Sequence, residues 1–228
     1  MMSTVDGRLN VTHYSLPANG ENYDTYIEYY FDKGVRPERD AVMIGRNTLQ
    51  EMYMPNIYEA GHNKPAHNPT TFIAKPLGVD TPTIVVDIKG KTLFEGHEDM
   101  HFITILGNEI SDEYLAHLRE KKISYVFAGS KGKDLGKAMD ILGTEFGYKT
   151  IVLEGGGVLN GTFLKARLID ELNLLLYPSI DGLSGVSAIF EHIGGSEEKP
   201  AEGQALELVS VKEQKYGTVL LKYNFRKL

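Results

Sequence analysis

Leu153-Glu154-Gly155-Gly156-Gly157-Val158-Leu159-Asn160-Gly161 is the stretch on which the reading of this chain turns. Its three glycines follow the apolar run Thr150-Ile151-Val152-Leu153 and precede a helical pattern that extends to about Leu168. Glycine lets a backbone approach a ligand closely, and a helix N-terminus presents N–H groups that suit phosphate. A tight strand-to-helix connection also uses glycine, so the triplet alone leaves both readings open. A Rossmann fingerprint fits less well. Gly155-x-Gly157 begins it, but Asn160 stands at the third glycine position, and no acidic residue closes a following strand at the required distance.

Outward from this turn, strand-like and helical patterns alternate. Tyr23, Tyr26, Ile27, Tyr30 and Phe31 recur at helical spacing, with Asn22 as a cap and Gly34 past the end. Asp40-Ala41-Val42-Met43-Ile44 reads as a strand that meets Gly45-Arg46-Asn47, then Thr48-Leu49-Gln50-Glu51 with capping-box spacing. This is a second phosphate-cradle candidate, because Arg46 offers a planar fork and Thr48 a hydroxyl at the helix start; the plain alternative is an exposed arginine beside an ordinary cap. Residues 55–82 are rich in Pro, Asn, Gly and His and predict a long surface excursion. Strands are expected at 83–87, 101–106 and 123–128, with a helix capped by Ser111 and another capped by Asp134 and ended by Gly147. A strand from about Asp170 to Tyr177 follows the glycine helix, and the runs 206–211 and 218–225 predict an antiparallel hairpin that closes the sheet. The alternation indicates an α/β fold with a mainly parallel central sheet flanked by helices. With no repeat, low-complexity tract or linker, a single domain over 1–228 is expected.

Composition narrows the function. The chain has 228 residues, 42% of them hydrophobic, which is enough for a substantial core. With 31 acidic against 24 basic residues the net charge is -7, which disfavours a nucleic-acid partner. The absence of cysteine removes thiolate nucleophiles and thiolate metal sites and suits a cytoplasmic protein. No apolar run approaches the roughly 20 residues of a membrane helix, so no membrane association is expected. Met1 to Gly7 begins almost inside a motif, so a few preceding residues are expected. The pairs His62/His67 and His97/His101 lack a third ligand at suitable spacing, and no metal is expected.

These pieces together resemble the dihydrofolate reductase superfamily, and more closely the reductase domain of the bifunctional riboflavin deaminase-reductases. The carriers are Ser3-Thr4-Val5-Asp6-Gly7-Arg8, residues 40–48, Val85-Val86-Asp87, and the block Glu154-Gly155-Gly156-Gly157-Val158-Leu159-Asn160-Gly161 continued by Phe163-Leu164, 168–172 and Pro178. The resemblance covers nearly the whole chain except 55–82. It implies NADPH as cofactor, with Gly155, Gly156, Gly157, Val158, Leu159, Asn160, Gly161 and Thr162 around the pyrophosphate and a strained Gly155–Gly156 link. Gly45 and Thr48 would lie at the same phosphates, Arg46 at the 2′-phosphate, Met2 at the nicotinamide and Asp87 at the adenosine.

On the substrate side the resemblance places Glu154 against a pyrimidine, Arg36 toward a ribose phosphate and Asn22 at a polar contact. As residues, Glu154 equally suits a helix start, Arg36 a solvated helix end, and Asp6 a turn rather than a proton donor. The family's Asp-Asp-Pro-x-Leu-Thr-x-Arg stretch after the second helix is absent, and 55–82 stands there; Lys64 and Lys75 are candidates to replace the lost arginine, a solvated loop lysine being the plain alternative. No acid–base dyad stands out, so no catalytic residue is assigned. The implied activity is reduction of a ribosylamino group to ribitylamino by hydride transfer, in a homodimer, with a small-molecule substrate. A related reductase acting on another pterin-like or imine substrate, and a non-enzymatic nucleotide-binding module, are the alternatives.

Overall fold

A computed structural model describes residues 1–32, 35–59, 65–66, 69–74, 81–96 and 100–228. The chain forms two compact units, Glu38–Glu154, and Met1–Pro37 with Gly155–Leu228.

The first of these carries the parallel sheet. Its strands are β2 (Ala41–Gly45), β3 (Thr83–Val86), β4 (Phe102–Leu106) and β5 (Ser124–Phe127), with β6 (Ile151–Gly155) at the boundary, and the order is β5-β4-β3-β2-β6. β2, β3, β4 and β5 run parallel in register, with Ile84 opposite Met43 and Ile103. Every residue of β4 and β5 is buried, as expected of parallel strands covered on both faces. Helices α2 (Arg46–Met52), α3 (Asp112–Glu120) and α4 (Leu135–Thr144) supply the cover. Leu115 and Leu118 of α3 and Leu135, Ala138 and Leu142 of α4 are buried at helical spacing, each large side chain adding about 1.5 to 3 kcal/mol. Ile110 and Leu115, on either side of the Ser111 cap in the positions of a hydrophobic staple, join one core cluster with Tyr114 and Phe127.

The excursion at 55–82 is not wholly superficial. Phe72 exchanges backbone hydrogen bonds with Tyr125 at 3.0 and 2.9 Å, and the Ala74 N–H donates to Ser124 Oγ at 3.0 Å. This short apolar stretch covers the outer edge of β5, whose unpaired backbone would otherwise face water. His62, His67, Lys64, Lys75 and His97 lie outside the described residues, as does the expected helix stop at Gly34.

The other unit holds the second sheet, β1 (Met2–Thr4), β7 (Glu171–Tyr177), β9 (Val219–Lys227) and β8 (Gln204–Glu213), in the order β1-β7-β9-β8. The hairpin therefore does not close the parallel sheet: β9 pairs antiparallel with β7, and β1 pairs parallel with β7, Met2 opposite Leu175. Here α1 (Tyr23–Phe31) packs by aromatic edges, Tyr26 lying 4.2 Å from the Tyr177 ring. Burial pushes the phenols of Tyr14 and Tyr23 upward, so both stay neutral. The glycine turn leads into α5 (Gly157–Lys165) in the same unit.

Candidate functional site

The glycine turn has a defined shape. Gly155 ends β6 with φ +94°, a left-handed value that glycine adopts without a steric penalty, and the Gly155–Gly156 peptide bond is cis. Gly155, Gly157 and Gly161 are buried, and Gly156 is half-buried. A side-chain carbon on Gly155 would lie 2.8 Å from Met1 Cε and 3.1 Å from Asn160 Nδ2. One on Gly157 would overlap the carbonyl oxygen of Ala188, and one on Gly161 that of Glu191. The glycines are thus required by packing on one side of α5 before any ligand is considered.

The first-turn N–H groups of any helix lack intrahelical acceptors. In α1, α3 and α4 a side chain answers them: Asn22 accepts from the Thr25 N–H at 3.0 Å, Ser111 from Tyr114 at 3.2 Å and Asp134 from Lys137 at 3.0 Å. Among the described α-helices, α2 and α5 have no side-chain cap, their N-caps being Gly45 and Gly156. Those are the two helices that follow the predicted phosphate cradles. Within α5, Val158 is exposed, Leu159 half-buried, and the exposed Thr162 turns its hydroxyl to the Val158 carbonyl at 2.7 Å. Asn160 is buried.

The second cradle differs from expectation in its start. Gly45 is already extended at φ -78° and ψ 152°, so β2 passes directly into α2, and Thr48 falls inside the first turn instead of capping it. Arg46 hydrogen-bonds Gln50, and its Nε lies 3.8 Å from Asp87 Oδ1. Asp87, 2% exposed, accepts from the Lys91 and Thr92 N–H groups at 2.7 Å each through Oδ2. It therefore shapes the turn after β3 as well as facing Arg46.

The remaining residues are dispersed in their local roles. Met2 lies in β1 and packs with Tyr29, Leu175 and Leu220. Glu154 is half-buried in β6, directly before the glycines. Arg36 stacks over Phe31 at 4.8 Å and Tyr30 at 5.7 Å. Asn22 is the cap of α1. Asp6 accepts from the Asp181 and Gly182 N–H groups at 3.2 and 2.9 Å. The Thr4 hydroxyl and these N–H groups hold its carboxyl down to about 2, so it is ionised at neutral pH and carries no proton to donate.

Sequence reasoning passed over residues 186–191. They run beside both the Asp6-Gly7-Arg8 turn and the glycine turn, with Ile189 N–H donating to the Gly7 carbonyl at 3.0 Å and Glu191 N–H to that of Gly157 at 2.9 Å. They form no helix or strand, so no periodicity marks them.

The family profile described as the RibD C-terminal domain matches residues 1–220. The chain belongs to the RibD C-terminal domain family. This RibD C-terminal domain is 25% identical over 179 residues to the 2,5-diamino-6-ribosylamino-4(3H)-pyrimidinone 5′-phosphate reductase of Methanothermobacter thermautotrophicus, covering 78% of this chain and 76% of that relative. Its fold is similar to that of a pyrimidine reductase-like protein of Corynebacterium diphtheriae, with TM-score 0.65 at 17% identity over 100% of this chain and 90% of the other. It is also similar to Acinetobacter baumannii RibD, with TM-score 0.62 at 18% identity, spanning 99% of this chain and 56% of that longer one. The dihydrofolate-reductase-like α/β fold and the riboflavin-biosynthesis pyrimidine reductase family, both implied by the motifs, are therefore shown, and the family is one of oxidoreductases. No helix among the described residues is long and apolar enough to cross a membrane.

Proposed function

We propose that this RibD C-terminal domain is an NADPH-dependent reductase that converts the ribosylamino group of a diaminopyrimidine or aminopyrimidine ribosyl 5′-phosphate into ribitylamino. The observation that carries the reading is the uncapped N-terminus of α5 behind a glycine turn, inside a reductase family. A pyrophosphate would take the acceptor role that a capping side chain takes in α1, α3 and α4. The glycine backbone, with no Cβ, fits that group.

A reduced nicotinamide, when bound, supplies hydride to C1′ of the open, imine-like form of the ribosylamine, and a proton reaches the adjacent nitrogen. The chain's own work is alignment. The backbone from Gly155 to Thr162, with Gly45 and Thr48, holds the diphosphate, Arg46 favours the 2′-phosphate, and Met2 and Asp87 border the nicotinamide and the adenosine respectively. Glu154 accepts from a ring amide and an amino group of the pyrimidine together. Arg36 provides positive charge for the substrate phosphate, and Asn22 is the remaining substrate contact. The protein acts as a cytoplasmic homodimer, for which the exposed Leu206, Leu208 and Val211 of β8 offer apolar surface.

The deciding experiment is titration of the purified chain with NADPH and with NADH, followed by turnover of the ribosylaminopyrimidine phosphate. Preferential NADPH binding and NADPH oxidation on adding that substrate are expected. Absence of binding by either nucleotide would overturn the assignment.

A further inference from the structure

We infer that Arg8 and Asn160 are positioning residues that set the glycine turn from opposite sides of one strap, residues 186–191. The inference rests on the cofactor reading above for its functional meaning, and on geometry within one unit for its substance.

Asn160 was expected at the cofactor. Its side chain also faces the strap. Nδ2 donates to the Ile189 carbonyl at 2.7 Å, its backbone N–H donates to Gly156 at 3.1 Å, and Oδ1 is shielded from solvent. The Nδ2 bond ties the amide to the strap and so fixes the distance between the turn and Ile189. Glu191 fastens the next point, donating its N–H to the Gly157 carbonyl, and the missing Cβ atoms of Gly157 and Gly161 allow this close approach.

The other side of the strap is held by the Asp6-Gly7-Arg8 turn. Arg8 Nη1 donates to the Val186 carbonyl at 2.7 Å, Leu9 N–H to Ser187 at 2.9 Å, and Ile189 N–H to Gly7 at 3.0 Å. A guanidinium bond to a carbonyl is charge-assisted and stronger than a neutral one. The Asp6-Gly7-Arg8 turn and the glycine turn, far apart in the sequence, are thus tied to one stretch of backbone, and the aim of the α5 N–H groups depends on both.

The test uses the full chain as wild type, Arg8→Ala, Asn160→Ala and the double variant. Amide hydrogen exchange is followed without ligand, and NADPH affinity and steady-state KM and kcat with it. Each single variant is expected to speed exchange at Asn160 and Glu191 by about tenfold or more, since the strap opens locally. Each raises KM for NADPH with kcat nearly kept at saturation, and the double variant is little worse than either single one because they act through one element. Should Arg8→Ala not fold, Arg8→Lys replaces it, together with Ser187→Ala, which removes the 2.9 Å hydrogen bond that Ser187 Oγ donates to Glu191 Oε2 within the strap. Unchanged exchange at Asn160 and Glu191 in Arg8→Ala, or additive losses in the double variant, would overturn the inference. Failure of the wild type to bind NADPH would overturn the cofactor reading alone, because the exchange data still decide whether the strap sets the turn.

Discussion

Arg46 and Asp87 face each other at the C-terminal ends of the neighbouring parallel strands β2 and β3, with 3.8 Å between Nε and Oδ1. The carboxylate side chain is 1% exposed and the guanidinium 27%, so the pair lies where removing one partner leaves a poorly hydrated charge. Arg46→Ala is expected to cost about 1 to 3 kcal/mol of stability, read from urea denaturation. The same change is expected to narrow the preference for NADPH over NADH by about 1 to 3 kcal/mol, as expected for a lost charge-assisted phosphate contact. Arg46→Lys separates the effects, keeping the positive charge near Asp87 while losing the planar fork. An unchanged ratio of the two dissociation constants in Arg46→Ala would remove Arg46 from cofactor recognition.

Packing of α5 makes a second prediction. Gly157→Ala and Gly161→Ala place a methyl group on backbone carbonyls of Ala188 and Glu191, which side-chain rotation cannot relieve. Each should destabilise by about 1 to 3 kcal/mol or more. Gly136 in α4 is the control, because its nearest neighbour would be Asp134 Oδ1 at 3.7 Å. Gly136→Ala should stabilise by about 0.4 to 1 kcal/mol through helix propensity and the unfolded chain. Thermal unfolding of the three variants checks the contrast, and equal effects would contradict the tight seat of α5.

Acid should unfold the protein in two stages. Burial holds the imidazoles of His101 and His117 below their ordinary range, with the Lys121 charge adding to the effect at His117. The unfolded chain, with histidines near 6.5, then takes up protons first, so the stability linked to neutral imidazoles is full above about pH 6.5 and falls below it. Asp6 and Glu198 have the opposite origin for a loss in the same direction. Hydrogen bonds from Thr4 and Gly182, and from Lys165 and Gly195, hold them down to about 2. Their contribution is present above the usual carboxylate values and is lost as pH falls toward 2. Urea midpoints measured from pH 8 to 3 should therefore begin to decline between 7 and 5, and His101→Gln should flatten that first decline. A constant midpoint across pH 7 to 5 in the wild type would show that neither histidine is buried neutral.

Local pattern made most elements legible. The tyrosine spacing of α1, the Ser111 and Asp134 caps and the apolar runs of β2 to β5 each encode their structure within a dozen residues. The division into two sheets did not show, because it depends on pairings such as Met2 with Leu175, which no short window contains. Phe72 was similarly hidden: its edge pairing with Tyr125 crosses more than fifty residues from within a Pro-rich segment. At the glycine turn the sequence marked the residues but not all of their reason, since the carbonyls that exclude a Cβ at Gly157 and Gly161 come from an irregular segment about thirty residues later. Thr48 misled because a hydroxyl three residues before Glu51 suits a capping box wherever it stands, whereas Gly45 had already taken the extended N-cap geometry.

Asn22 offers the sharpest separation of a local role from a substrate role. Its Oδ1 accepts from the Thr25 N–H at 3.0 Å and from the Thr25 hydroxyl at 3.3 Å, which occupies the side-chain oxygen as a helix cap. Asn22→Ala should lower stability by about 1 kcal/mol. Asn22→Asp and Asn22→Ser keep an acceptor and should restore most of that loss, and Asp adds a favourable charge at the helix start. If capping is its whole contribution, KM for the ribosylaminopyrimidine phosphate stays within about twofold of wild type in Asn22→Ser, since a cap exchange of this kind changes energies by only a few tenths of a kcal/mol. A rise of tenfold or more in that KM, in a variant whose melting temperature is unchanged, would instead establish Asn22 as a substrate contact beyond its capping bond.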